Sequence, residues 1–275
     1  MKIQMIMKTK MIEFTRAAVV LGSFVAQSAM AASTITFETA GDYTNNFRSP
    51  FAGNQGLSQT GPTDLTNDWL ACTNNGGTGG AFVAVYDTTP LDGATTRNLF
   101  SGSIRVEFDV SVADALSSFG VSLLNATNGA TDSIMALCNL DNNSVTNETL
   151  RFWRDGANFS SSAGTQVGAS VVGSSGLNLS PEATPVFGHV TFELLVGDVS
   201  PTVTLTVGDF SQTTTLYVNA DIPSSYEVAF RVFDGSNTTL GTTKLDNIQI
   251  TPIPEPSALA LLGMGLGGMW LRRRR

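Results

Sequence analysis

The sequence predicts an all-β protein: a two-sheet antiparallel sandwich framed by an export signal and a short apolar C-terminal segment. Three observations carry this. Between Ser33 and Thr251 no stretch of useful length shows helical periodicity; apolar and polar residues alternate with period two, as in strands with one buried face. The alternating runs are punctuated by turn-forming clusters such as Asn74-Asn75-Gly76-Gly77 and Asp234-Gly235-Ser236-Asn237. The two ends differ from this body in kind, each combining basic residues with one short apolar run.

Residues 1–31 read as a signal peptide. A basic stretch precedes the apolar run Ala17 to Ala26, and Ala29 and Ala31 fit the small-residue pattern that signal peptidase cuts. Residues 32–251 form the sandwich. Its clearest strands place Ile104, Val106, Phe108 and Val110 on one face and Arg105, Glu107 and Asp109 on the other. Val190, Phe192, Leu194 and Val196 alternate in the same way, as do Val228, Phe230 and Val232 against Glu227, Ala229 and Arg231. Further strands are expected at Ile35 to Glu38, Ala81 to Tyr86, Phe119 to Leu124, Ile134 to Leu140, Leu150 to Arg154, Val203 to Val207, Thr213 to Val218 and Lys244 to Ile250. About eleven strands with one polar face each make one sandwich. The stretch Ser160 to Ser175 reads as a long loop.

Composition removes several functions. Of 275 residues, 15 are Lys or Arg and 23 Asp or Glu, a net charge of −8; without the two ends, 7 basic residues face 21 acidic ones, a net of −14. Such a body repels a phosphate backbone, which excludes nucleic-acid binding. The single histidine, His189, and the two cysteines leave too few ligands for a His/Cys zinc site, and no serine lies in a nucleophile-elbow pattern. Cys72 and Cys138 would meet an oxidising compartment after export, which allows a disulfide closing a loop of some 65 residues. Trp69 and Trp153 stand beside Asp68 and Arg154; such indoles next to charged groups are the candidate stacking surfaces for a glycan.

Residues 252–275 contain Pro254-Glu255-Pro256-Ser257, fourteen uncharged residues from Ala258 to Leu271, and four arginines. A 14-residue helix covers about two-thirds of a hydrocarbon core, and the arginines should stay cytoplasmic. The Pro-Glu-Pro triplet with a Gly-rich apolar span and an arginine end resembles the PEP-CTERM sorting signal. That resemblance implies recognition of Pro254, Glu255 and Pro256 by an exosortase, transient insertion in the inner membrane, a Gram-negative host that makes exopolysaccharide, and delivery to the cell envelope or extracellular matrix.

The segments Ile35-Thr36-Phe37-Glu38 and Lys244-Leu245-Asp246-Asn247-Ile248-Gln249-Ile250 resemble the terminal strands of concanavalin-like and laminin-G-like jelly rolls, a layout shared by carbohydrate-binding modules. The resemblance implies a structural calcium ion on Glu38 and Asp246, with Asp42 a third carboxylate. Glycosidases of this type carry E-x-D-x-x-E along one strand; here Glu107 and Asp109 fill two positions and Val112 the third, so the required acid is missing. The sequence therefore favours an exported, sorted surface or matrix protein without catalysis of its own and with no required cofactor. A carbohydrate-binding module is the alternative reading, and a glycoside hydrolase a distant third.

Overall fold

The computed structural model describes residues 34–39, 41–48, 57–60, 69–72, 82–87, 98–112, 118–125, 133–139, 149–156, 165–172, 186–197, 200–208, 210–216, 222–233 and 243–254. In chain order they form β1 (Thr34–Ile35), the single turn α1 (Asp42–Asn46), β2 (Phe47–Arg48), β3 (Leu57–Thr60), β4 (Trp69–Cys72), β5 (Phe82–Tyr86), β6 (Ser103–Val112), β7 (Ser118–Asn125), β8 (Ser133–Asn139), β9 (Thr149–Gly156), β10 (Thr165–Val172), β11 (Val186–Leu195), β12 (Thr202–Val207), β13 (Phe210–Thr215), β14 (Tyr226–Phe233) and β15 (Thr243–Ile253). They build two sheets. The first has the order β13-β12-β11-β6-β15-β4-β3, with β1 also paired to β15; the second has the order β10-β9-β8-β7-β14-β5-β2. The two-sheet antiparallel sandwich is thus the fold, and its first and last strands meet, Thr34 opposite Gln249 and Ile35 opposite Ile248.

Three local expectations are corrected. The opening strand is shorter than Ile35 to Glu38, because Phe37 adopts φ 56 and turns the chain. Its ring nevertheless stays fully buried and stacks on Phe47 at 5.8 Å. The stretch expected to be a loop contains β10, paired to β9. Its alternation is hidden in sequence by Gly168 (φ 73), which sits inside a register shift between Val167 and Val171. The short β2, β3, β4 and α1 carry too few residues for any periodicity to register. The signal region and the tail from Glu255 onward lie outside the described residues.

The core forms where the predicted inward faces meet. Phe108, from the first sheet, meets Phe119 and Phe230 of the second edge-on, at centroid distances of 6.4 Å and 5.6 Å. Each such pair adds about 0.5–1.5 kcal/mol beyond area burial. At one end of the sandwich β6 begins while β11 and β15 finish. There Tyr226, fully buried at the start of β14, donates its hydroxyl to the Gly102 carbonyl at 2.7 Å. Its backbone exchanges two hydrogen bonds with Phe100, at 2.8 Å and 2.9 Å. Burial raises the phenol pKa, so this strut between the sheets stays protonated.

Candidate functional site

Two outward sheet faces hold Glu107, Asp109 and Asp246 on one sheet and Trp153 on the other. On the first sheet, register places His189 and Asp246 on either side of Asp109, with Thr191 and Gln249 flanking Glu107. The His189 Nδ1–H donates to Asp109 Oδ1 at 2.8 Å, and Asn247 Nδ2 donates to Asp109 Oδ2 at 2.8 Å. Both oxygens of Asp109 are therefore engaged. Glu107 stands 3.9 Å from His189 Nε2. A glycosidase pair needs one carboxylate free to attack or to activate water and another to carry a proton. Glu107 and Asp109 share a face, as expected, but Asp109 is fixed in a hydrogen-bonded triad.

Asp246 has a different environment. Its Oδ1 is buried without a hydrogen-bond partner. Burial pushes its pKa up to about 6; the Asn247 backbone N–H bond opposes that shift, and the charges of Asp109 and Glu38 add to it. Two carboxylates directly opposite across a ladder repel. Glu38 is exposed and within electrostatic reach of Asp246, whereas Asp42 spends its carboxylate locally, accepting the Thr39 N–H at 3.0 Å. Among the described residues no group of three or more His, Cys, Asp or Glu side chains is placed to hold a metal ion. Of the expected calcium ligands, Glu38 and Asp246 thus lie within electrostatic reach of each other, while Asp42 is engaged by Thr39.

The outward face of the second sheet is built by register into two adjacent rows. One runs Ala229, Ser122, Met135, Trp153, Gln166; the next runs Arg231, Gly120, Leu137, Arg151. Trp153 points away from the sandwich interior, since Leu150 and Phe152 beside it fill the main core. It is nonetheless only 6% exposed and packs with Met135 and Leu137 in a second apolar cluster. The expectation of Trp153 as an open stacking platform is corrected by that burial. Arg231, opposite Gly120, donates from Nη1 to Met135 Sδ at 3.4 Å. Burial lowers the Arg231 pKa. The Nε atoms of Arg151 and Arg231 and the hydroxyl of Ser122 are buried without hydrogen-bond partners, and Ser122 is 1% exposed.

Trp69 is half-buried on β4. Cys138 is buried in the core on β8, while the side chain of Cys72 lies outside the described ones. Pro254 is exposed at the end of β15; Glu255 and Pro256 lie outside the described residues.

Sequence alternation marked Arg231 as outward-facing. It could not bring Arg231, Ser122, Met135 and Arg151 together, because only the pairing order of β14, β7, β8 and β9 does so.

The model of the PEP-CTERM protein-sorting motif matches residues 252–275. No curated protein matches the chain in sequence. Among solved structures, a Bacillus subtilis protein of unknown function with a galectin-like fold is 9% identical and superposes with a TM-score of 0.51, over 81% of this chain and 96% of that one. At that identity the likeness is one of fold. A carbohydrate-binding module, CBM66, from Bacillus subtilis gives 12% identity and a TM-score of 0.45 over 76% of this chain and 96% of its own. A legume lectin-like domain from Entamoeba histolytica gives 13% and 0.45 over 76% and 97%. The chain thus carries a PEP-CTERM sorting motif behind a jelly-roll sandwich.

Proposed function

We propose that this chain is an exported surface or matrix protein, handed to an exosortase through its C-terminal motif and associated with exopolysaccharide, with no catalysis of its own. The observation that carries the reading is the sorting motif matched on residues 252–275, directly continuous with β15, which ends at Ile253. Signal peptidase acts first, near Ala31; the exosortase then acts next to a strand that is already hydrogen-bonded into the sheet. The engaged carboxylate of Asp109 and the valine at position 112 favour a binding or structural role over hydrolysis.

Fractionation of the producing host tests this. The full chain should reach the envelope or medium, and a Glu255→Ala variant should accumulate in the inner membrane. Equal release of both would remove the sorting reading.

A second reading, glycan binding, is supported by one feature. The half-buried guanidinium groups of Arg151 and Arg231 share the row next to that of Trp153, a pair of cations suited to a uronate carboxylate. A glycan array probed with the exported protein should then give a signal that weakens at least tenfold in Arg231→Ala. Retention of the full signal in that variant would exclude this face.

A further inference from the structure

The two large hydrophobic side chains exposed among the described residues are Leu99, at 52%, and Leu195, at 41%. They share one end of the sandwich. Leu99 precedes the Phe100–Tyr226 bridge that leads into β6, and Leu195 is the last residue of β11. Val196, next in the chain, donates its N–H to Ser103 Oγ at 2.9 Å, which holds Leu195 beside the first residue of β6. On the other side of Ser103 stands Ile253, the last residue of β15. From Ile253 only Pro254 to Ser257 separate the sheet from the apolar run Ala258 to Leu271. Four residues span at most about 14 Å. A sandwich tethered that closely to an inserted segment cannot keep this end far from the bilayer.

The outward face of the first sheet is graded along the same axis. Leu195 and Ile253 lie at the tail end; the next outward row holds Glu193, Arg105 and Thr251, with Arg105 and Glu193 3.5 Å apart. Beyond them come Thr191, Glu107 and Gln249, and then His189, Asp109 and Asp246. The carboxylate-rich row is six residues up β6 from Ser103, about 20 Å away. The apolar groups thus sit where lipid would be, Glu193 in the next row is paired with Arg105, and the row of Asp109 and Asp246 lies beyond the reach of anionic headgroups, whose field falls off within about one Debye length.

We propose that this end of the sandwich is a membrane-resting surface: Leu99, Leu195 and Ile253 lie in the lipid interface while the tail is inserted, seating the domain upright and presenting the Pro-Glu-Pro segment at a fixed height. The proposal rests on the reading of the tail as an inserted sorting segment, and the test separates the two. The full chain is reconstituted in phosphatidylethanolamine–phosphatidylglycerol vesicles with brominated acyl chains, and tryptophan emission is compared with that in unbrominated vesicles. Trp270 of the tail reports insertion. Leu195→Trp and Leu99→Trp report the seating, and Thr191→Trp, two rows higher, is the control. Expected is loss of Trp270 emission, further loss of the added emission in Leu195→Trp and Leu99→Trp, and none in Thr191→Trp. Quenching of Trp270 without quenching at positions 195 and 99 would overturn the seating and leave the tail reading intact. Equal quenching at 191 and 195 would mean that the sheet lies flat, which also overturns it. Unquenched Trp270 would remove both.

Discussion

Asp246 shows how one side chain can oppose the fold that holds it. Its pKa lies near 6 in the folded chain against an ordinary 3.8, so the folded state binds a proton more tightly than the unfolded one between those values. Stability from this group is complete below about pH 4 and is lost as pH rises through 6. Asp246→Asn should therefore raise stability at pH 7.5 by about 1 kcal/mol, a figure reduced for solvent screening, and change little at pH 4. Thermal unfolding at the two pH values checks this, with and without millimolar calcium. A wild-type midpoint raised by calcium, together with a destabilised Asn variant, would place a cation at this site. Glu107 carries a second residue-scale expectation: polysaccharide turnover stays at background in the wild type. Turnover above background that vanishes in Glu107→Gln would contradict it. Much at this scale was legible in sequence, including the shared face of Glu107 and Asp109. The hydrogen-bond partners of Asp109 were not, because His189 and Asn247 come from strands 80 and 138 residues away.

At the scale of elements, strands with strict alternation could be read directly, and β6, β11 and β14 turn the predicted side chains inward. What escaped were strands whose pattern is broken by function of the backbone itself. β10 carries a bulge at Gly168, and β4 has only four residues. Trp153 illustrates a different limit: alternation gives the face, and whether that face is covered depends on the rest of the chain. Gly120 is the most demanding position in the ladder between β7 and β8. A Cβ there would overlap the Ala136 carbonyl oxygen and come within 2.7 Å of Leu137 Cδ2. Backbone cannot yield as a flexible side chain does, so Gly120→Ala should destabilise by about 3 kcal/mol. The unfolding midpoint should fall by about 6–12 °C. A midpoint within a degree or two of wild type would mean that β7 and β8 are not paired as described.

For the whole molecule, the matched sorting motif begins within the last strand of the sandwich. β15 is a central strand of the first sheet, flanked by β6 and β4, and it runs without a linker into the sorting motif. Cutting beyond Ile253 leaves every ladder bond of β15 in place, so processing should release a domain as stable as its precursor. Intact-mass measurement of the protein recovered from the envelope or medium of an exosortase-bearing host tests this most directly. The mature chain should begin near Ala32 and end near Pro254. A released form that retains Trp270 and the terminal arginines would contradict it.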